Sequence, residues 1–248
     1  MSTPAVAVDP LRKQDIAANL AEIAGRVAAA VAARGDPSVQ TRLVAVSKTK
    51  PASDIAAAYE LGHRHFGENI QELVEKAAVL PKDIHWHFIG KRTLQSNKCK
   101  ALASVPNLWV VETIDSAKKA VAMNKACEGR EEPLSVFLQV NTSGEESKSG
   151  IAASECVAVA TEIVQTCTKL RLKGLMTIGA AHNVHDGVNP DFELLVNCRK
   201  QIAEALGLND LELSMGMSDD FEAAIKYGST NVRVGSSIFG ARSYPPKN

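Results

Sequence analysis

A chain of 248 residues with 45% hydrophobic and 23% charged side chains can bury a sizeable core, and an α/β barrel of this length folds as one domain. Its 28 basic residues offset 28 acidic ones, so no net field draws it to nucleic acid or to an anionic membrane. The five cysteines are odd in number and show no CxxC spacing, which argues for reduced thiols of a cytoplasmic protein and against disulfides or a zinc site.

The first twelve residues contain Asp9 and lack both an apolar signal core and an arginine-rich presequence. No uninterrupted apolar run of about 18 residues occurs, so no membrane association is expected. Asp9-Pro10 reads as a helix cap with proline at the first helical position. Ile16, Leu20, Ile23, Val27 and Val31 then repeat at helical spacing, up to a stop near Gly35 and Pro37. Beyond it lie β-rich runs at 42–46, 63–66, 84–89, 108–112, 135–140, 171–176, 211–214 and 231–234. Helical stretches near 52–61, 69–79, 93–104, 115–127, 152–168, 190–206 and 219–228 separate them. Eight strands alternating with seven helices, behind one added helix, predict a (β/α)8 TIM barrel. The expected layout is a single domain over 1–248, with the N-terminal helix at 9–35 and the barrel at 42–240. An open doubly wound sheet is the competing fold, but its GxGxxG turn is missing after the first strand.

Chemistry in a barrel gathers at the C-terminal ends of the strands. Lys48 ends the apolar run 43–46 there, just before Thr49-Lys50-Pro51. A lysine at the end of a buried strand is costly unless its amine is used, and a desolvated amine can form a Schiff base. The second strand ends in Phe66-Gly67-Glu68-Asn69. His87 reads as a satisfied core histidine; His85 shares its strand face, but no third ligand has metal-site spacing. Lys148 falls in the polar loop 142–150 and reads as a solvated loop residue, with a second cationic group at the rim as the alternative. The seventh strand runs into Ser214-Met215-Gly216-Met217-Ser218, and the eighth runs through Arg233 into Gly235-Ser236-Ser237. Loops at these two positions commonly hold phosphate in barrels. A lysine nucleophile beside a phosphate grip fits pyridoxal 5′-phosphate (PLP), which carries both an aldehyde and a phosphate. A class I aldolase acting on a phosphosugar is the second reading; its lysine usually sits on a later strand.

Taken together, the stretches at 43–51 (LVAVSKTKP), 66–69 (FGEN), 86–90 (WHFIG), 94–98 (LQSNK), 147–151 (SKSGI), 174–176 (GLM), 214–222 (SMGMSDDFE) and 228–242 (GSTNVRVGSSIFGAR) resemble the pyridoxal phosphate homeostasis protein family. The resemblance implies a barrel of the alanine-racemase N-terminal type, of the fold-type III class, that carries PLP as a Schiff base on Lys48. It further implies that Ser218, Arg233, Gly235 and Ser236 hold the phosphate and that Asn69 lies near the ring. One departure is local: Lys91-Arg92-Thr93 intervenes where the family has a very short link. The implied role is vitamin B6 homeostasis as a monomer, holding PLP and supplying it to apo PLP-dependent enzymes without substantial turnover, with no catalytic residue and no metal. The alternative is an amino-acid racemase of the same fold type. Those enzymes carry an added β-domain, for which these 248 residues leave no room, and racemisation needs bases on both faces of the cofactor. His87, Tyr59, Tyr227 and Tyr244 are the conceivable second bases.

Overall fold

Asp9 opens the first helix as its sequence predicts: one carboxylate oxygen accepts from the amides of Leu11 at 2.8 Å and Arg12 at 3.3 Å. The computed structural model describes residues 6–36, 39–90, 96–180 and 188–242, without the side chains of 96 and 97. The link at 91–93, the Leu94-Gln95 part of the LQSNK stretch and Tyr244 lie outside the described residues. Helix α1 (Pro10–Ala33) is followed by β1 (Arg42–Val46), α2 (Ala52–Glu60), β2 (His65–Glu68), α3 (Ile70–Val79), β3 (His85–Phe88) and α4 (Ser96–Ala103). Then come β4 (Leu108–Ile114), α5 (Ala117–Ala126), β5 (Leu134–Gln139), α6 (Cys156–Thr166), β6 (Leu170–Met176) and α7 (Pro190–Leu206). The chain closes with β7 (Glu212–Ser214), α8 (Phe221–Lys226), β8 (Asn231–Val234) and α9 (Ser236–Phe239).

All eight strands pair in parallel and in chain order, and β8 closes on β1 with Arg42 opposite Asn231 and Ala45 opposite Val234. The predicted TIM barrel is therefore formed. Some elements differ from their sequence expectation: β4 runs on to Ile114, α6 begins at Cys156, β2 is displaced and α9 is added. β2 sits two residues later than 63–66, because Gly67 and the charged Glu68 are held in register with β3, opposite His87 and Phe88. Gly67 packs closely there: a Cβ would lie 2.7 Å from Ile89 Cδ1 and 3.2 Å from Val44 Cγ1, so the Ile89 side chain would have to shift. The four-residue α9 was not among the predicted elements.

Strand residues alternate between two environments. Ala45, Phe66, Trp86, Val111, Val136, Leu175, Leu213 and Val232 face the helices and form the main core. Inside the barrel a smaller apolar cluster forms from Val110, Phe137 and Met176, packed with Trp109 and Ile178. Much of the rest of the interior is polar, with His65, His87, Glu112, Ser214 and Arg233 in place of the branched aliphatic layers usual in such barrels. By length and composition α1 could cross a membrane. Its stripe of Ile16, Leu20, Ile23, Val27 and Ala30 is instead buried, and Arg12 and Arg26 pair with Asp54 and Glu222 at 2.7 and 2.9 Å.

Candidate functional site

β1 stops at Val46, and a tight turn over residues 47–50 follows, closed by the Lys50 amide donating to Ser47 O at 3.0 Å. Thr49 takes φ +66° in this turn, a left-handed conformation that a β-branched residue adopts only under constraint. Lys48 is thereby carried to the mouth, where its Nζ donates to Ile89 O, at the end of β3, at 2.8 Å. Ile89 also lines a cavity of about 100 Å³, together with Gly90, Thr113, Gln139, Lys148 and Ile178. Thr113 Oγ1 is buried with no hydrogen-bond partner among the described residues. An orphaned hydroxyl on a cavity wall fits a site built for a polar ligand. Lys148 is not the solvated loop residue that its sequence context predicts. Its amine donates to Gly179 O at 2.6 Å and to Glu145 at 2.7 Å and forms part of the cavity wall. Thr113, Gln139 and Ile178 carry no sequence signal of their own; they are ordinary strand-end residues until the barrel closes.

Ser218, Gly235 and Ser236 come together after β7 and β8. The Gly235 amide and the Ser236 hydroxyl lie 3.4 and 3.2 Å from Ser218 Oγ. Gly235 packs against β1, where a Cβ would stand 3.1 Å from Val46 O, so this cluster adjoins the strand that carries Lys48. α8 and α9 have six and four residues, so hydroxyls and an amide, rather than a helix dipole, make this polar cradle. The other two sequence candidates are placed differently. Arg233 lies one strand layer below, facing inward, and donates to Ser214 Oγ at 2.6 Å and Thr177 O at 2.8 Å. Asn69 caps α3: its Oδ1 accepts from the Glu72 amide and its Nδ2 donates to Glu72 Oε1. Both its side-chain polar atoms are engaged with Glu72.

Beneath the mouth a hydrogen-bonded chain fills the barrel. His85 Nδ1 lies 3.3 Å from His65 Nε2, His65 Nδ1 lies 3.0 Å from His87 Nε2, and His87 Nδ1 lies 2.5 Å from Glu112 Oε1. Ser214 donates to the other carboxylate oxygen at 2.5 Å and receives Arg233, so Glu112 and Arg233 are joined through one hydroxyl. Burial pushes His65 down to about 2 and lowers His87 and His85. Burial alone would raise Glu112, but hydrogen bonds from His87 and Ser214 and the charges of His87 and Arg233 hold it low. Both nitrogens of His65 and of His87 face a neighbour, so the histidines do not converge as metal ligands, and His87 is the satisfied core histidine that its strand context suggests. Among the described residues no cluster suited to a metal ion occurs.

The family model for the alanine racemase N-terminal domain matches residues 14–243. Relatives named pyridoxal phosphate homeostasis protein include that of Homo sapiens, 48% identical over 235 residues, covering 90% of this chain and 85% of the relative. That of Escherichia coli K12 is 41% identical over 244 residues, covering 94% and 99%. PipY of Synechococcus elongatus PCC7942, solved with PLP bound, superposes with a TM-score of 0.77 at 30% identity and covers 91% of this chain and 100% of its own. Alanine racemase from Corynebacterium glutamicum shares the fold alone, with a TM-score of 0.62 at 16% identity over 93% of this chain and 61% of its own. On sequence and fold together, the chain belongs to the pyridoxal phosphate homeostasis protein family.

Proposed function

We propose that this protein binds pyridoxal 5′-phosphate and serves vitamin B6 homeostasis, holding the cofactor as a Schiff base on Lys48 and releasing it to apo PLP-dependent enzymes without substantial turnover. The observation that carries the reading is that a lysine amine follows β1 while a cradle of two hydroxyls and one amide follows β7 and β8, with Gly235 packed against Val46 of β1. When bound, PLP supplies a reactive aldehyde and a phosphate dianion. The amine of Lys48 anchors the aldehyde end, and Ser218, Gly235 and Ser236 bind and orient the phosphate. Arg233 adds positive charge from the layer beneath, and Thr113 offers its hydroxyl to the polar edge of the ring. Asn69 acts at second hand, through Glu72.

A racemase would need a second proton donor beside Lys48. His87 is engaged with Glu112 and His65, Tyr59 donates to Asp83 at 2.7 Å, and Tyr227 accepts from the Asn189 amide at 3.0 Å. These engagements favour the carrier. The five unpaired, buried cysteines are in keeping with action in a reducing cytoplasm.

The absorption spectrum of the purified protein mixed with PLP is the test. A near-visible Schiff-base band is expected in the parent chain and absent in Lys48→Ala. Persistence of the band in that variant would remove Lys48 as the anchor. Interconversion of alanine enantiomers above trace rates, abolished by Lys48→Ala, would make the protein a racemase and overturn the carrier reading.

A further inference from the structure

Beside the turn that carries Lys48 lies a cluster of charged side chains, Glu68, Glu72 and Lys76. Glu68 is fully buried at the end of β2, and Lys76 on α3 is 7% exposed. The three N–H donors of Lys76 meet three acceptors: Glu68 Oε1 at 2.5 Å, Glu72 Oε2 at 2.7 Å and the Ser47 carbonyl at 3.0 Å. Glu68 Oε1 also accepts from Ser47 Oγ at 2.8 Å, and Glu72 Oε2 accepts from the Thr49 amide at 2.8 Å. The residues on both sides of Lys48 are therefore tied to one cluster. Burying a carboxylate and an ammonium is a poor route to stability, since apolar residues of similar volume commonly do as well. What this cluster does instead is hold a turn whose Thr49 sits at φ +66°.

We infer that Lys76, acting with Glu68 and Glu72, is the positioning residue of Lys48. It rests on the reading of Lys48 as the PLP anchor. The cluster keeps the 47–49 backbone in its left-handed turn, so that the amine meets the aldehyde carbon in a reactive geometry. In that condensation a C–N bond forms between Nζ and the aldehyde carbon, and the carbonyl oxygen leaves as water with both amine hydrogens. Geometry of this kind governs the rate of bond formation, and a misplacement of about 1 Å can cost on the order of a hundredfold. It leaves the phosphate grip, formed on other strands, intact.

The test uses the full chain freed of cofactor. Stopped-flow absorption gives the rate of Schiff-base formation with PLP, and titration with pyridoxine 5′-phosphate, which lacks the aldehyde, gives non-covalent affinity. Lys76→Met is expected to slow bond formation by about tenfold or more while the analogue's affinity stays within about twofold. Because Lys76→Met can unfold locally, Glu72→Ala is the second variant: Glu72 is partly exposed, and its loss frees the Thr49 amide. Its expected effects are a bond-formation rate lowered about threefold or more and Thr49 amide exchange in the cofactor-free protein raised about tenfold. Rates at the parent level in both variants overturn the inference, as do losses of rate and analogue affinity in equal proportion. A parent protein that forms no near-visible band defeats the anchor reading instead, and Thr49 exchange still reports whether the cluster holds the turn.

Discussion

Arg233 keeps its guanidinium inside the barrel because the Glu112 carboxylate lies one hydroxyl away, across Ser214. Burial lowers the arginine's pKa, and the charges of Glu112 and Asp220 oppose that effect. The result is a pre-oriented cation beneath the mouth, anchored on Ser214 and Thr177 before any ligand arrives. Arg233→Gln is expected to weaken PLP retention by about 1.5–3 kcal/mol, the worth of a charge-assisted hydrogen bond. That is roughly one to two orders of magnitude in Kd, readable by spectroscopic titration. An unchanged Kd would show that the guanidinium serves the barrel and not the cofactor. Lys48 and the loops that carry Ser218, Gly235 and Ser236 stand out in the sequence because they follow predicted strands, and the resemblance singles out those residues within them. The direction of Arg233 is not: an arginine on an inward strand position can reach up or across, and only its partners decide which.

At the scale of elements, α1 does more than cover one side of the barrel. Arg12 donates to Asp54 on α2 at 2.7 Å and to Phe239 O on α9 at 2.7 Å, and Asn19 donates to Ile238 O at 3.1 Å. α9 begins at Ser236, so the added helix buttresses the loop that offers Gly235 and Ser236. Arg12→Ala leaves the 4% exposed Asp54 without this partner, and a loss of about 1–3 kcal/mol is expected in urea unfolding. Amide exchange in α9 should rise at the same time; unaltered exchange there would argue against a buttress. Ile23→Ala, at 1% exposure on the buried stripe, is expected to cost about 2–5 kcal/mol in the same assay. The caps and the apolar period of α1 announce the helix plainly in the sequence. Its grip on α9 joins residues 227 positions apart and has no local signature.

For the molecule as a whole, the polar interior sets the pH range of stability. Burial pushes His63 from the ordinary 6.5 down to about 4 and His65 down to about 2, and it lowers His85 and His87. Below pH 6.5 the unfolded chain binds protons that the folded histidines refuse, so stability falls as pH drops through that window. Above 6.5 these groups are neutral in both states and contribute nothing to the slope. Glu68 and Asp220, raised by burial, act in the opposite sense, as two carboxylates against four histidines. The urea midpoint should therefore drop when pH is lowered from about 7 to about 5. A midpoint that holds steady or rises would mean that the histidine chain takes up protons without strain.

By itself the sequence determined the alternation of eight strands with helices, the closing of the barrel and the placing of Lys48 at a strand end, since caps, apolar periods and strand-end positions are local properties of the chain. Only the tertiary structure decided which way Arg233 reaches, that Asn69 turns toward Glu72, that Lys148 lines the cavity and that Lys76 stands beside the anchor's turn. It also joined His87, Glu112 and Ser214, which lie 25 and then 102 positions apart along the chain. Such contacts arise from strand register and barrel closure, which bring distant side chains within hydrogen-bonding reach and leave no mark on the residues around any one of them.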